Sequence, residues 1–235
     1  MRLDKYLAHT GLLSRREAAR AVRAGEVTVD GVCVRSPDAH IDEETQVRLR
    51  GKILDMRELV YILLNKPQGY VSATDDPREK TVLDLIPERY TRRGIFPCGR
   101  LDKDTVGLVI LTNDGSSAHR LLAPKSHAEK VYSFECADPL EHIARLEAGV
   151  EIAHTYMTMP CSIKQTGERM GEITLTEGKY HQIKQMFASV GNRIVYLERI
   201  SFAGIVLDPA LERGEWRELT PEEVRLFTDD KSSDI

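Results

Sequence analysis

Asp102 is the residue of this 235-residue chain whose neighbours are best suited to chemistry. It follows Gly99 and Arg100 on a short segment rich in charge, and the apolar run at residues 108–111 comes shortly after it. That run predicts a buried strand, which a turn at residues 112–115 closes. Asp102 is therefore expected on a loop at the mouth of a rigid strand, where catalytic groups often lie. A lone Asp in such a loop is more often a solvated turn residue, so its neighbours must decide.

The rest of the sequence lacks the signatures of several common catalytic classes. It has no carboxylate pair with glycosidase spacing, no Ser-His-Asp signature and no Gly-x-x-x-x-Gly-Lys phosphate loop. His181 has no carboxylate or cysteine at ligand spacing, so we expect no metal and interpret it as a polar core or supporting histidine. The four cysteines are scattered and form no Cys-x-x-Cys, which argues against disulfides and zinc and favours a reducing cytoplasm.

Length and composition are those of an ordinary globular protein. Apolar residues make up 41% of the 235 positions and charged residues 30%, and this length suits two domains. No apolar run reaches about 18 residues, and no long apolar core follows the first residues, so neither a membrane span nor a secretory signal is expected. The predicted strands outnumber the helices and mostly follow one another, which indicates an α+β fold.

Charge is distributed unevenly along the chain. The net charge of −4 by itself argues against a nucleic-acid partner. Residues 1–35, however, hold seven basic and four acidic side chains, whereas residues 208–235 hold four basic and nine acidic ones. Because binding follows local clusters of charge rather than the sum, the front of the chain is suited to an anionic partner. No role is assigned to the acidic end.

A helix with an arginine-rich face is predicted over residues 14–24. Ser14 and Glu17 form a capping box at its start, and Gly25 ends it. The candidate phosphate-binding residues of this region are Arg2, Lys5, Arg15, Arg16, Arg20 and Arg23. A solvated helix surface is the alternative, but the excess of arginine, whose guanidinium binds phosphate through two hydrogen bonds, favours phosphate binding.

The front of the chain resembles the S4 RNA-binding domain. A hairpin with an Asp30-Gly31 turn is predicted directly after the arginine helix. The matching stretches are residues 2–7, 14–18 and 25–31. The resemblance implies that the six basic residues bind structured RNA. Residues 1–58 are thus predicted to form an S4-like domain with its linker, and residues 59–235 a second domain.

Motifs spread over the second domain resemble the pseudouridine synthases, in the ribosomal branch that carries an S4 domain. They are Asn65-Lys66-Pro67-Gln68-Gly69-Tyr70, residues 99–107, Leu111-Thr112-Asn113-Asp114-Gly115, Lys130 with Tyr132, and residues 177–187. With the S4-like part, the resemblance spans about residues 2–224. It implies a catalytic domain built on a mixed, largely antiparallel sheet with flanking helices. It also implies an enzyme that detaches uracil from its ribose, rotates it and rejoins it through carbon 5.

The resemblance implies roles for individual residues. Asp102 is the essential catalytic aspartate, and Lys184 is the cation that keeps it ionised. Tyr132 stacks on the target base, while Arg100 holds the RNA backbone or fills the space that the flipped base leaves. Without the resemblance, Tyr132 is more readily a sheet-packing residue and Lys184 is equally a surface residue. Arg100 would then simply pair with Asp104.

One position departs from the pattern of this family. Gln185 stands where a second basic residue usually follows Lys184, so one phosphate contact is not carried over. The chemistry itself does not depend on that contact. Because the reaction is redox-neutral and releases nothing, the resemblance implies neither a cofactor nor a metal.

Residues 65–71 and 74–77 look most like the enzyme that modifies one uridine of small-subunit (16S) ribosomal RNA. The expected function is therefore site-specific isomerisation of that uridine to pseudouridine by a cytoplasmic monomer. Its partner is ribosomal RNA, free or in an assembling small subunit. Two alternatives stay open: a synthase acting on large-subunit (23S) ribosomal RNA, and a non-catalytic S4-type RNA-binding factor for ribosome assembly.

Overall fold

The structure is a computed structural model that describes residues 1–10, 12–42, 45–54, 59–153 and 155–228. The chain divides into two compact units. One consists of residues 1–60 with 86–96, and the other of residues 61–85 with 97–235. Part of the predicted linker, at residues 55–58, lies outside the described residues. The predicted domain division at residue 58 stays a prediction.

The first unit combines three helices with a four-stranded antiparallel sheet. Its elements are α1 (Leu3–His9), α2 (Arg15–Arg23), β1 (Val27–Val29), β2 (Val32–Cys33), β3 (Val47–Leu49), β4 (Lys52–Leu54) and α3 (Glu88–Thr91). The strand order is β2-β1-β3-β4. The capping box of α2 is present: the Ser14 hydroxyl accepts from the Glu17 backbone N–H, and the Glu17 carboxylate accepts from the Ser14 backbone N–H.

An apolar core holds the first unit together. Leu3 and Leu7 of α1 and Val22 of α2 are fully buried, and they pack in one cluster with Val27 and Val47 of the sheet. Their helical and alternating spacings place them on the inner face of each element. The arginines of α2 lie on its outer, exposed face.

The second unit is built on one large mixed sheet. The strands of this unit are β5 (Tyr61–Lys66), β6 (Phe96–Cys98), β7 (Val106–Thr112), β8 (Lys130–Cys136), β9 (Glu151–Ile152), β10 (Tyr156–Met157), β11 (Ser162–Gln165), β12 (Met170–Leu175), β13 (Ile194–Phe202), β14 (Ile205–Val206) and β15 (Trp216–Glu218). Of these, β9 and β10 form a separate two-stranded sheet. Its helices are α4 (Gly115–Leu122), α5 (Ile143–Ala148), α6 (Gln182–Ser189) and α7 (Pro221–Thr228). The order β11-β12-β8-β13-β7-β5-β15 forms the sheet, in which β13 and β7 are parallel and the other neighbours are antiparallel.

The centre of this sheet is apolar on both faces. Every residue of β5 and of β7 is buried, whereas β8 alternates along much of its length. A strand that is covered on both faces reads as a continuous apolar run, which is the pattern at residues 108–111. The predicted α+β class and the mixed, largely antiparallel sheet are confirmed.

Gly107 allows β7 and β13 to approach each other. It pairs with Arg199 in the parallel ladder, and its φ is +98°. A Cβ at this position would lie 2.3 Å from the Arg199 carbonyl oxygen, so only glycine fits without a shift of the backbone. The strand that follows the Asp102 loop is therefore fixed against β13 at its very start.

One local expectation is wrong: the sequence predicts a helix over residues 139–146, but the observed helix starts later. The helix expected over residues 139–146 begins at Ile143, because the Leu140 backbone N–H donates to the Glu168 carbonyl at 2.8 Å and joins the preceding segment to a neighbouring turn. Among the helices that the structure describes, none is long and apolar enough to cross a membrane.

Candidate active site

A cavity of about 740 Å³ lies in the second unit, beside the loop that carries Asp102. The loop at residues 99–105 and the segment at residues 175–184 form much of its wall, and side chains of β8 and β13 complete it. Its volume is within the range of about 300–1,000 Å³ that is usual for small-ligand sites. It therefore has room for an extruded nucleotide.

Backbone and hydroxyl contacts clamp the Asp102 loop from below. The Ser72 hydroxyl accepts from the Leu101 backbone N–H at 3.0 Å and donates to the Leu101 carbonyl at 3.1 Å. The Gly69 backbone N–H donates to the Lys103 carbonyl at 2.9 Å. The loop is held on both sides of Asp102, so its carboxylate is presented by a rigid support.

Lys66 completes this clamp with a buried ammonium group. It is the last residue of β5 and is fully buried. Its Nζ donates to the backbone carbonyls of Pro67, Asp102, Lys103 and Thr105, at 3.1, 3.0, 3.3 and 2.7 Å. Burial lowers the pKa of Lys66 to about 8. This role of Lys66 was not predicted, because a lysine directly before Pro67 is typical of a Pro/Gly turn.

Lys184 lies above the loop and contacts the carboxylate of Asp102. Its Nζ is 3.0 Å from Asp102 Oδ2 and 2.6 Å from Asp104 Oδ1. Burial acts to lower the pKa of Lys184, but the hydrogen bonds to the two carboxylates outweigh it and raise that pKa. The same ion pair outweighs burial at Asp104 and lowers the pKa of its carboxyl group. Lys184 is thus a cation shared by two acids.

His181 stands on the other side of Asp102. Its Nε2 is 3.6 Å from Asp102 Oδ1, and it is the N-cap residue of α6, with a φ of +50°. The sequence predicts either a polar core or a supporting histidine, and the partly exposed side chain at the wall of the cavity fits the second interpretation. Asp102 therefore has Lys184 at one oxygen and His181 near the other.

Tyr132 and Arg199 lie side by side on the sheet within the cavity. They are paired across β8 and β13, and directly opposite residues of an antiparallel pair share a face. Tyr132 is buried, and Arg199 is 2% exposed. Arg199 Nε donates to the Leu108 carbonyl at 2.8 Å, while its Nη2 has no hydrogen-bond partner among the described residues. The position of Arg199 in the cavity was not predicted, because a single arginine in a strand belongs to no sequence motif.

The remaining predicted residues fall in two places. Arg100 is exposed and lines the cavity, while the partner first considered for it, Asp104, pairs with Lys184. The six candidate phosphate-binding residues of the first unit are all exposed, namely Arg2, Lys5, Arg15, Arg16, Arg20 and Arg23. Two of them contact the buried Asp4, Arg2 at 3.0 Å and Arg15 at 3.4 Å. The structure thus brings Asp102, Lys184, Tyr132 and Arg100 to one cavity, and their chemical roles stay predictions.

The comparisons with known proteins decide the family. The model of the RNA pseudouridylate synthase family matches residues 60–189, and that of the S4 domain matches residues 1–47. This chain belongs to the RNA pseudouridylate synthase family. It is an RNA pseudouridine synthase with an S4 domain, as predicted from the sequence.

Full-length relatives agree with this assignment. An RNA pseudouridine synthase of Bacillus subtilis, YtzG, is 47% identical and covers 97% of this chain and 99% of its own length. The ribosomal small subunit pseudouridine synthase A of Escherichia coli K12 is 40% identical, with 95% and 98% covered. A solved pseudouridylate synthase superposes with a TM-score of 0.69 at 37% identity, over 97% of this chain and 99% of the other.

No metal cluster accompanies the site in the part of the chain that the structure describes. There, no group of three or more histidine, cysteine, aspartate or glutamate side chains is placed to hold a metal ion. What the cavity offers is carboxylates, several cations and aromatic rings. These are groups that can act on a nucleotide directly.

Proposed function

We propose that this enzyme converts one uridine of small-subunit (16S) ribosomal RNA to pseudouridine, with Asp102 as the essential catalytic residue. The observation that carries the proposal is the carboxylate of Asp102 on a clamped loop, 3.0 Å from Lys184 and beside the cavity that contains Tyr132. The choice of small-subunit RNA is supported by relatives of that name in Escherichia coli and Pseudomonas aeruginosa, each 40% identical over 95% of this chain.

The reaction is an isomerisation of the nucleoside. The bond between ribose C1′ and uracil N1 breaks, the base rotates, and a bond between C1′ and C5 forms. The C5 proton is lost and N1 gains a proton, so atoms and charge balance without an added reactant. Asp102 starts this sequence from its ionised form, by attack on the sugar or the base or by removal of a sugar proton.

The other side chains of the cavity support that step. The ammonium group of Lys184 stabilises the negative charge on Asp102. Tyr132 offers its ring to the target base, and stacking of this kind contributes about 1–3 kcal/mol per base. Arg100, at the edge of the cavity, holds the RNA backbone or occupies the space of the flipped base. Extrusion of the base from the stack costs a few kcal/mol, which these contacts offset.

The front of the chain supplies affinity in this proposal. Residues 1–58 act as the S4-like RNA-binding domain and its linker, and residues 59–235 as the catalytic domain. The exposed basic residues around α1 and α2 contact phosphates of the ribosomal RNA. Counterion release makes such contacts weaken steeply with salt. We further propose that the enzyme acts as a monomer in the cytoplasm.

Mapping of pseudouridine in ribosomal RNA tests the substrate. Small-subunit and large-subunit RNA, each naked or in partly assembled subunits, are incubated with the wild-type protein. Pseudouridines are then derivatised chemically and located as reverse-transcriptase stops. The proposal predicts one new stop in small-subunit RNA. A stop found only in large-subunit RNA would keep the chemistry and overturn the choice of substrate.

A further inference from the structure

Tyr180 is an exposed aromatic residue at the wall of the cavity. Tyr180 is 72% exposed, although large aromatic residues are usually buried for the most part. Its ring stacks on the ring of His181, with centroids 3.9 Å apart and planes at 17°. One face of the Tyr180 ring is therefore covered by His181, while most of the rest of the residue is open to solvent.

The stacked pair is held in place on both sides. The His181 ring has its Nε2 3.6 Å from Asp102 Oδ1, which relates the pair to the reacting centre. The Gln185 side-chain amide donates to the Tyr180 carbonyl at 2.6 Å, and its carbonyl accepts from the Ala153 backbone N–H at 3.0 Å. A basic side chain at residue 185 could not accept the second bond. With Gln185 in place of the usual basic residue, the chain lacks one positive charge but gains a side chain that links the Tyr180 carbonyl to the Ala153 backbone N–H.

Cationic side chains share the cavity wall with this pair. Arg100 and Lys103 come from the Asp102 loop, and Lys179 directly precedes Tyr180. All three residues are exposed. Proteins bind single-stranded nucleic acid with open aromatic faces on surfaces that also carry cations, since the cations follow the backbone and the ring stacks on a base.

We propose that the open face of Tyr180 stacks on an unpaired base adjacent to the uridine that enters the cavity. The inference rests on the proposed function, and it adds a second base-binding position to the site. Tyr132 is buried inside the cavity and is available to the target base, whereas Tyr180 is exposed at the cavity wall and available to its neighbour. Because stacking contributes mainly to binding, Tyr180 is a residue for substrate affinity rather than for the chemical step.

Steady-state kinetics on the RNA that the wild-type enzyme modifies provide the first test. Tyr180→Leu removes the ring, Tyr180→Phe keeps it, and Tyr196→Leu is a matched control, since Tyr196 is a partly exposed tyrosine outside this cavity. We expect Tyr180→Leu to raise KM about tenfold with kcat unchanged. Tyr180→Phe and Tyr196→Leu should have the KM of the wild type. A wild-type KM for Tyr180→Leu, or an equal loss in Tyr180→Phe, would overturn the proposal.

The RNA side of the contact is tested with the wild-type protein, so that test does not depend on the folding of a variant. An abasic nucleotide is placed in turn on each side of the target uridine. One of the two positions should raise KM about tenfold in the wild type and have no further effect in Tyr180→Leu. Equal KM values at both abasic positions and in the intact RNA would contradict the stacking.

A binding experiment separates this proposal from the proposed function. 2-Aminopurine replaces the base on each side of one uridine in a single-stranded RNA, and its fluorescence is followed during titration with wild-type protein and with Tyr180→Leu. Quenching that needs the Tyr180 ring supports the stacking even if no pseudouridine forms in small-subunit RNA. Pseudouridine formation without Tyr180-dependent quenching would leave the function in place and refute the stacking.

Discussion

Asp4 in the first unit and Asp102 in the second both lie beside cations, but their carboxylates are held in opposite ways. The side chain of Asp4 is 7% exposed and contacts two arginines, at 3.0 and 3.4 Å. The side chain of Asp102 is 26% exposed, and its close partner Lys184 is shared with Asp104. One carboxylate thus has two cations, whereas at the other site two carboxylates have one cation.

This is the difference that we expect between a structural carboxylate, Asp4, and the carboxylate that we propose to be reactive, Asp102. Asp4 is saturated by its arginines and orients them, so it has little capacity left for a ligand. Asp102 keeps one oxygen toward His181 at 3.6 Å, on a loop that is fixed by Lys66 below and Lys184 above. Positioning for catalysis requires a rigid support and a carboxylate that can still accept a further contact.

Among the variants that test the comparison of Asp4 with Asp102, we expect the largest effect at Lys184. Lys184→Met leaves Asp102 and Asp104 without their common cation, and we expect kcat to fall about 10²- to 10³-fold. Lys184→Arg keeps the charge and should retain most of the activity. Single-turnover rates of pseudouridine formation measure both variants. A wild-type rate in Lys184→Met would mean that the ion pair serves the fold and not the reaction.

Lys66→Met is expected to have the next largest effect, on stability. It removes the ammonium donor from four backbone carbonyls, of which those of Asp102 and Lys103 keep a backbone N–H donor. We expect the free energy of unfolding to fall by about 2–3 kcal/mol. For a chain of this size, that corresponds to a melting temperature lower by about 5–10 °C. Circular dichroism during heating measures it. The matched control is Lys164→Met, since Lys164 is well exposed on β11 and should melt with the wild type.

The pH dependence of the same pair of proteins tests the burial of the Lys66 ammonium. Its pKa of about 8 in the folded state lies below the ordinary value of 10.5, so the unfolded chain binds more protons between these values. The stability of the wild type relative to Lys66→Met should therefore rise as the pH increases from 8 to about 10.5. Denaturant unfolding at a series of pH values measures this difference. A flat difference would show that the ammonium is not penalised by burial.

A smaller effect is expected for the exposed arginines of α2. Neutralising Arg16, Arg20 or Arg23 to Gln should weaken binding of ribosomal RNA several-fold at 0.15 M salt, a rough estimate for one lost phosphate contact. Each change should also lower the slope of log affinity against log salt by about 0.7–0.9. Arg145→Gln, on the exposed side of α5, is the control. Unchanged slopes in all three variants would remove α2 from the RNA interface.

The smallest effect is expected from the titration of Asp4. Burial acts to raise its pKa, but the hydrogen bond from Arg2 and the charges of Arg2 and Arg15 outweigh burial and lower it. The ion pairs therefore stabilise the fold above the ordinary pKa of an Asp, and this stabilisation is lost as the pH falls through the lowered pKa. Asp4→Asn should cost about 1 kcal/mol at pH 7 and nothing at strongly acidic pH. Equal costs at both pH values would contradict this assignment.

Local patterns predicted much of the fold. The capping box at Ser14, the turn at Asp30 and the apolar run at residues 108–111 each depend on neighbours in the sequence, and each is present in the structure. Segments whose structure depends on distant partners were less predictable. Leu140 bonds to Glu168 instead of continuing a helix, and the sequence carries no local trace of that contact.

In the site, too, local patterns were predictable and contacts between distant residues were not. Asp102 could be singled out from its own loop, but its partner Lys184 is 82 residues away and was found through the family resemblance alone. Lys66, 36 residues from Asp102, was missed, because a buried lysine among carbonyls has no sequence signature. Arg199 was missed for the same reason. Tertiary contacts of single side chains are what sequence patterns do not encode.

The most direct measurement compares Asp102→Asn with Asp4→Asn in one assay of turnover and RNA affinity. We expect Asp102→Asn to lower kcat at least about 10³-fold while the Kd for ribosomal RNA stays within about twofold of the wild type. Asp4→Asn should do the reverse, with a weaker Kd and an unchanged kcat. Pseudouridine formation by Asp102→Asn at the wild-type rate would contradict the assignment of the reactive carboxylate.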